Sequence, residues 1–162
     1  VKLFTGPPTH QEDDAKVVHE LMNNADIRIV SGGTTSQIVA RELGVEVKSS
    51  TEIYDKEVPP IAYIQGVDLV TEGVLTLSKT IDRLKSLSKS LDSDIFKAKD
   101  GASQMAKLLY SSSHIKLLVG RSLNIANAES SFQRDLELRL HVVGELEKIL
   151  VKLGKIVTVE YY

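Results

Sequence analysis

Apolar and polar positions follow two rhythms along this chain. Lys2-Leu3-Phe4-Thr5 is a short apolar run that ends at Gly6-Pro7-Pro8. Proline continues neither a strand ladder nor a helix interior, so the run predicts a strand that stops there. Thr9 and Glu12 have capping-box spacing, and Ala15, Val18, Leu21 and Met22 then recur at helical spacing. Asp13 and Asp14 fall in the first turn of that helix, where the dipole favours negative charge. Asn23-Asn24 marks its end, because asparagine tolerates the left-handed conformation. Ile27-Arg28-Ile29-Val30 predicts a second strand. It stops at Ser31-Gly32-Gly33-Thr34-Thr35, and a helix is expected over 36–43, with Ile38, Val39 and Leu43 apolar and Gly44 as its stop.

The middle of the chain is less regular. A strand is expected over 45–47 and a loop over 51–60. Two apolar runs, 61–64 and 67–70, either pair as a hairpin across Gln65-Gly66 or leave one strand in the second run. Leu77, Ile81, Leu84 and Leu91 mark one face of a helix expected over 75–90, and 91–99 reads as a surface loop. Asp100 is placed to cap a helix whose apolar positions are Ala102, Met105, Ala106 and Leu109, ended by Ser111-Ser112-Ser113. The run 115–119 predicts a buried strand closed by Gly120, followed by a polar loop over 121–131. A long helix over 134–153 carries the stripe Leu136, Leu140, Val143, Ile149, Leu150 and Leu153, and Gly154 ends it. A last strand is expected over 156–159. Alternating strands and helices predict an α/β fold: a Rossmann-like layered sheet, mostly parallel, with helices on both faces. The chain reads as one domain over 1–162, with a sub-boundary allowed near 91–99.

Composition narrows the chemistry more than the fold. The chain has 162 residues, enough to bury roughly 70% of the surface its unfolded chain exposes. With 20 Lys+Arg against 22 Asp+Glu, its net charge of -2 argues against a large nucleic-acid footprint. The absence of cysteine excludes a disulfide framework, a thiolate-held zinc and a thiol nucleophile. No apolar run approaches the ~20 residues of a membrane span, and nothing at the start has the form of a signal peptide. The chain opens on Val1 in place of methionine. It is therefore expected to be a fragment of a longer protein, cut at a domain junction.

Ile27 to Thr35 is the most informative segment. An apolar strand runs into Ser-Gly-Gly-Thr-Thr and then into a helix. Glycines allow close approach of a ligand, and the free N–H groups of a helix start favour an anion. The pattern is neither G-x-G-x-x-G nor a P-loop, so no nucleotide is implied. The plainer alternative is a tight turn with Thr34 as helix cap. In a parallel sheet the other turns that follow strands gather at the same edge, and together they define a candidate ligand crevice. Its expected residues are Thr5, Gly6, Gly32, Gly33, Thr34, Thr35, Glu72, Gly73, Gly120, Arg121 and Asn124. Such a crevice suits a small polar or anionic molecule, with Arg121 able to grip phosphate or carboxylate in two-pronged fashion. A solvated loop cation is the plainer account of Arg121, and a helix-start acid that of Glu72. Asp68, inside an apolar run, stands either on an exposed strand face or in a site. The acidic pairs at Asp13-Asp14 and Asp100 are explained as helix starts. His10, His19, His114 and His141 are scattered, so no metal site is expected, and no G-x-S-x-G elbow supplies a nucleophile.

These segments, in this order, resemble a known family. Phe4-Thr5-Gly6-Pro7-Pro8, the stretch from Ser31-Gly32-Gly33-Thr34-Thr35 to Gly44, and the stretch from Pro59-Pro60 through Thr71-Glu72-Gly73 to Leu77 carry the likeness. Asp100-Gly101-Ala102, Val119-Gly120-Arg121, Asn124 and Gly154-Lys155 extend it over nearly the whole chain. The chain resembles the region that follows the catalytic domain in bacterial phosphatases of the stage II sporulation protein E type. The resemblance implies a longer parent that removes phosphate from phosphoserine or phosphothreonine with two divalent metals, manganese or magnesium. Its catalytic aspartates belong to the preceding domain and match no position here, so no catalytic residue and no cofactor are carried onto this chain. The expectation is a regulatory, ligand-sensing domain that binds a small anionic molecule and acts on its own phosphatase domain in the cytoplasm. No nucleic-acid or membrane partner is expected for the fragment. A structural module that forms a homodimer through the long helix is one alternative, and an independent small-molecule enzyme using Glu72 is another.

Overall fold

The computed structural model describes residues 1–91, 93–123 and 129–162. Seven strands form one sheet: β1 (Lys2–Thr5), β2 (Arg28–Ser31), β3 (Lys48–Ser49), β4 (Ala62–Tyr63), β5 (Leu69–Thr71), β6 (His114–Val119) and β7 (Ile156–Tyr161). Their order across the sheet is β3-β4-β5-β2-β1-β6-β7. The five strands from β5 to β7 are parallel, and β3 and β4 continue the sheet antiparallel beyond β5. The helices are α1 (Asp14–Met22), α2 (Gly33–Leu43), α3 (Val74–Lys89), α4 (Ser93–Lys97), α5 (Gly101–Tyr110) and α6 (Glu129–Lys152). The chain is an α/β protein with a mostly parallel sheet, as its alternating pattern predicts.

Neighbouring strand residues part to opposite sides. Leu3, Ile29, Leu69 and Leu117 join one core with Leu77, Leu84, Met105, Leu109, Leu146 and Leu150 of α3, α5 and α6. Phe4, Val30, Val70 and Leu118 join the other with Val17, Val18, Leu21, Ile38 and Val39 of α1 and α2. This period-two division explains why the inner strands read as unbroken apolar runs: both of their faces are covered. One sheet draws strands from both sides of 91–99, since β1 pairs with β2 and with β6.

Several local expectations need correction. Thr9 does not cap a helix; its hydroxyl donates to the Tyr162 carbonyl, and a 3-10 turn over Gln11–Asp13 precedes α1. Ala15 is exposed and Val17 is buried, because α1 begins later and turns a different face inward. The α2 helix begins at Gly33, three residues early, with Gly32 rather than Thr34 at its cap position. The strand expected over 45–47 lies at Lys48–Ser49, while Val45 and Val47 pack beside the α1–α2 core. The runs 61–64 and 67–70 do lie on antiparallel neighbours, with Ala62 opposite Val70. Asp68 precedes β5 and accepts the Arg28 N–H at 2.7 Å. Leu91 lies beyond α3 and is exposed, and the loop expected at 91–99 contains α4, which buries Ile95. Asp100 caps α5 as expected, accepting the Ser103 N–H at 2.9 Å. The α6 helix starts by Glu129, so it takes in part of the expected loop, and Val142 and Leu146 add to its stripe.

On the α1 side of the sheet, Lys116 lies 2.7 Å from both Glu20 and Glu160, and Lys2 also reaches Glu20. Lys116 hydrogen-bonding holds both carboxyls below their ordinary value, with Lys2 adding to the effect on Glu20. Depressed carboxylates stabilise the fold above the unfolded value and lose that contribution as pH falls through the lower folded value. These groups are partly exposed, so the contribution is about 1 kcal/mol at most. Lys116→Met is expected to flatten the loss of stability below pH 4.5 in urea melts. A slope equal to the parent's would refute this.

Candidate functional site

The five parallel strands end in one row. Thr5 lies beside Ser31 and Val119, Ser31 beside Thr71, and Val119 beside Tyr161. The turns that follow therefore share the carboxyl edge of the sheet, where open α/β sheets bind ligands. Chain order steps outward from β1 through β2 to β5, then returns to the other side of β1 with β6. The β1/β6 junction is the switch point of the sheet, and it divides the expected crevice in two.

Among the described residues of the half over β1, β6 and β7, the turns after β1 and β6 pack directly against each other. Gly6 and Gly120 press together: a Cβ on Gly120 would lie 2.1 Å from the carbonyl oxygens of both Gly6 and Pro7. Gly120 N–H donates to the Thr5 carbonyl at 3.0 Å, and Ser122 N–H to the Pro7 carbonyl at 3.0 Å. The Arg139 guanidinium covers the junction, donating to the Gly120 carbonyl at 3.1 Å. Burial holds Arg139 below its ordinary value, with Asp135 one turn back acting the other way. Thr35, fully buried, spends its hydroxyl accepting the Gly6 N–H at 2.9 Å. Thr5 is buried too. Arg121 is exposed and lies over the Tyr161 ring, 5.4 Å from its centroid. Asn124 lies outside the described residues.

The other half is open. A cleft of about 310 Å³ lies over the ends of β2 and β5, walled by β3 and β4. Gly33, Ser36, Gln37, Ser49, Ser50, Thr71 and Glu72 supply its polar lining. Two helices begin beside it. Gly32 stands before α2 and Gly73 before α3, and neither start has a side-chain cap. A Cβ on Gly73 would be 3.7 Å from the Gly32 Cα, so the two starts touch. The first intrahelical bond of α2 is Ser36 N–H to the Gly32 carbonyl, which leaves the N–H groups of Gly33, Thr34 and Thr35 without helical partners. Gly32 has φ +123°, a conformation that belongs to glycine. The Ser31 and Thr71 hydroxyls both donate to the Glu72 carbonyl, fixing the turn that bears the exposed Glu72 side chain.

Of the residues expected from the sequence, the structure puts Gly33 and Glu72 in the cleft, with Gly32, Thr34 and Gly73 at its rim. Thr5, Gly6, Thr35 and Gly120 instead brace the turns. Gln37, Ser49 and Ser50 were not anticipated. Gln37 is four residues after Gly33 and shares its helix face, a signal the sequence did carry. The two serines reach the cleft through a wall whose pairing no local pattern announces. Arg139 lies on the buried face of α6 three residues after Leu136, so a lone cation on an apolar stripe was its signal.

The arrangement can hold an anionic group by backbone N–H groups and two helix dipoles. Among the described residues that line the cleft, Glu72 is the only charged one. Among the described residues there is no group of three or more His, Cys, Asp or Glu that could hold a metal ion. No described helix is long and apolar enough to cross a membrane. The fold and site define a doubly wound α/β domain with a polar cleft at its carboxyl edge. Comparison with protein-family models, curated proteins and solved structures returned no match.

Proposed function

We propose that this chain is a ligand-sensing regulatory domain, the C-terminal part of a cytoplasmic protein similar to the stage II sporulation E-type serine/threonine phosphatases. The observation that carries the proposal is the cleft where two uncapped helix starts meet at Gly32 and Gly73. A small molecule with one anionic group would seat that group on the α2 N–H groups and meet Gln37, Ser49 and Glu72 with its hydroxyl or amino groups. It would bias the phosphatase domain only by binding two conformations with different affinity. The divalent metals belong to that domain, and no step is routed through them here. An independent enzyme is disfavoured, because it would need a sheltered acid and Glu72 is exposed.

The test is a thermal-shift screen with inorganic phosphate, nucleotides and organic acids. A true ligand at a hundredfold excess over its Kd is expected to raise Tm by about 5 °C or more. A Cβ on Gly33 meets nothing within 4 Å, so Gly33→Val fills the cleft mouth without disturbing the fold. That variant is expected to keep the parent Tm and lose the shift. No shift with any compound, together with unaltered phosphatase activity of the longer protein carrying Gly33→Val, would sink the proposal.

A further inference from the structure

Away from the cleft, a groove of about 260 Å³ runs between the last turns of α3 and α6. Lys85 and Lys89 line one side and Lys148 and Lys152 the other, with buried Ile149 as its floor. Glu145 answers Lys148 at 3.2 Å and also faces the charge of Lys85, but among the described residues Lys89 and Lys152 form no ion pair. Lys89 and Lys152 lie in last turns, which the helix dipole favours. Lys85 lies a turn earlier, at like-charge spacing to Lys89, which costs helix stability unless a counter-charge answers it. On a chain of net charge -2, this cationic groove with an apolar floor calls for an acidic, apolar occupant.

The chain itself displays one. Glu52, Ile53 and Tyr54 form the tip of the loop before β4, with Ile53 67% and Tyr54 50% exposed. The tip is tied to α3 and to itself by several contacts. Asp55 pairs with Arg83 and Glu57 with Lys79, both at 2.9 Å, Glu52 N–H donates to Ser50, and the Tyr54 hydroxyl donates to the Glu52 carboxylate. A loop tied down in this way presents two apolar side chains to water, and their burial would favour docking. Its ion pairs at Lys79 and Arg83 and the groove at Lys85 and Lys89 both flank α3. A two-fold contact across α3 would bring both features of each copy to one interface, and such a contact closes on itself.

We propose that the occupant is a second copy of this chain. Ile53 seats on Ile149 between the lysine stems, and Glu52 meets Lys85 and Lys89. This contact is separate from the ligand cleft and stands without it.

Sedimentation velocity of the 162-residue chain tests it. A dimer is expected at about 50 mM salt, weakened about tenfold at about 0.5 M. Lys89→Glu and Glu52→Lys are each expected to weaken it about tenfold or more, and the two together to recover most of the loss. Melting curves of these exposed-site variants confirm that they fold. Ile53→Ser gives a charge-free check and should also weaken the dimer. A monomer at every concentration up to about 0.5 mM at low salt overturns the proposal. So does a dimer that both single variants leave intact, which would place the contact elsewhere, or a double variant with no recovery.

Discussion

Gly120→Ala is expected to destabilise the chain by about 4 kcal/mol or more, enough to lower Tm by about 10 °C. The added methyl would sit 2.1 Å from two carbonyl oxygens, those of Gly6 and Pro7, and neither is a side chain that can swing away. Relief requires parting the β1 and β6 turns. That breaks the Gly120-to-Thr5 and Ser122-to-Pro7 bonds and withdraws the carbonyl that Arg139 grips. A partly buried guanidinium that loses its acceptor adds a desolvation cost of its own. Calorimetric melting of the variant checks this, and a fall in Tm of less than about 3 °C would mean that the turns separate freely.

Leu146→Ala is expected to cost about 3 kcal/mol, read as a lower urea midpoint at unchanged slope. Leu146 is fully buried on α6, in the core that α3, α5 and α6 share with the sheet. Truncation removes contacts and leaves a cavity whose walls are held by strands on one side and helices on the other, so little collapse is available. Alanine's better helix propensity returns only a few tenths of a kcal/mol. A loss below about 1 kcal/mol would show that α6 resettles onto the sheet.

The sheet was legible in the sequence where packing is two-sided. Leu3-Phe4, Ile29-Val30 and Leu117-Leu118 are apolar on both faces because helices cover both, and such runs stand out. The short antiparallel strands were not. The two-residue β3 is exposed on both positions, so it carries no hydrophobic signal, and its place depends on pairing Lys48 with Tyr63 and Ser49 with Ala62, across the loop between them. The glycine turns were legible as turns but not in their separate duties. Gly33 and Gly120 look alike in sequence; one opens on a cleft and the other is wedged against a neighbouring backbone. That difference arises from strand order across the switch point, which no local pattern encodes. For Arg139 the lone cation on an apolar stripe was visible but its partner was not, since its acceptor is nineteen residues away in the turn of another strand.

The position of β1 between β2 and β6 has a consequence for how the chain is made. β1 leaves the ribosome before the strands on either side of it and finds β2 within about thirty residues, but Lys2 faces Lys116 on its other side. At ordinary elongation rates that second edge stays open for on the order of ten seconds. Through that interval the nascent half-sheet exposes Leu3 and Phe4 along an unpaired edge, the geometry that invites pairing with a neighbouring chain. Yield on expression should therefore depend on how soon β6 arrives, so that the middle strand of the five parallel ones is also the most vulnerable during synthesis.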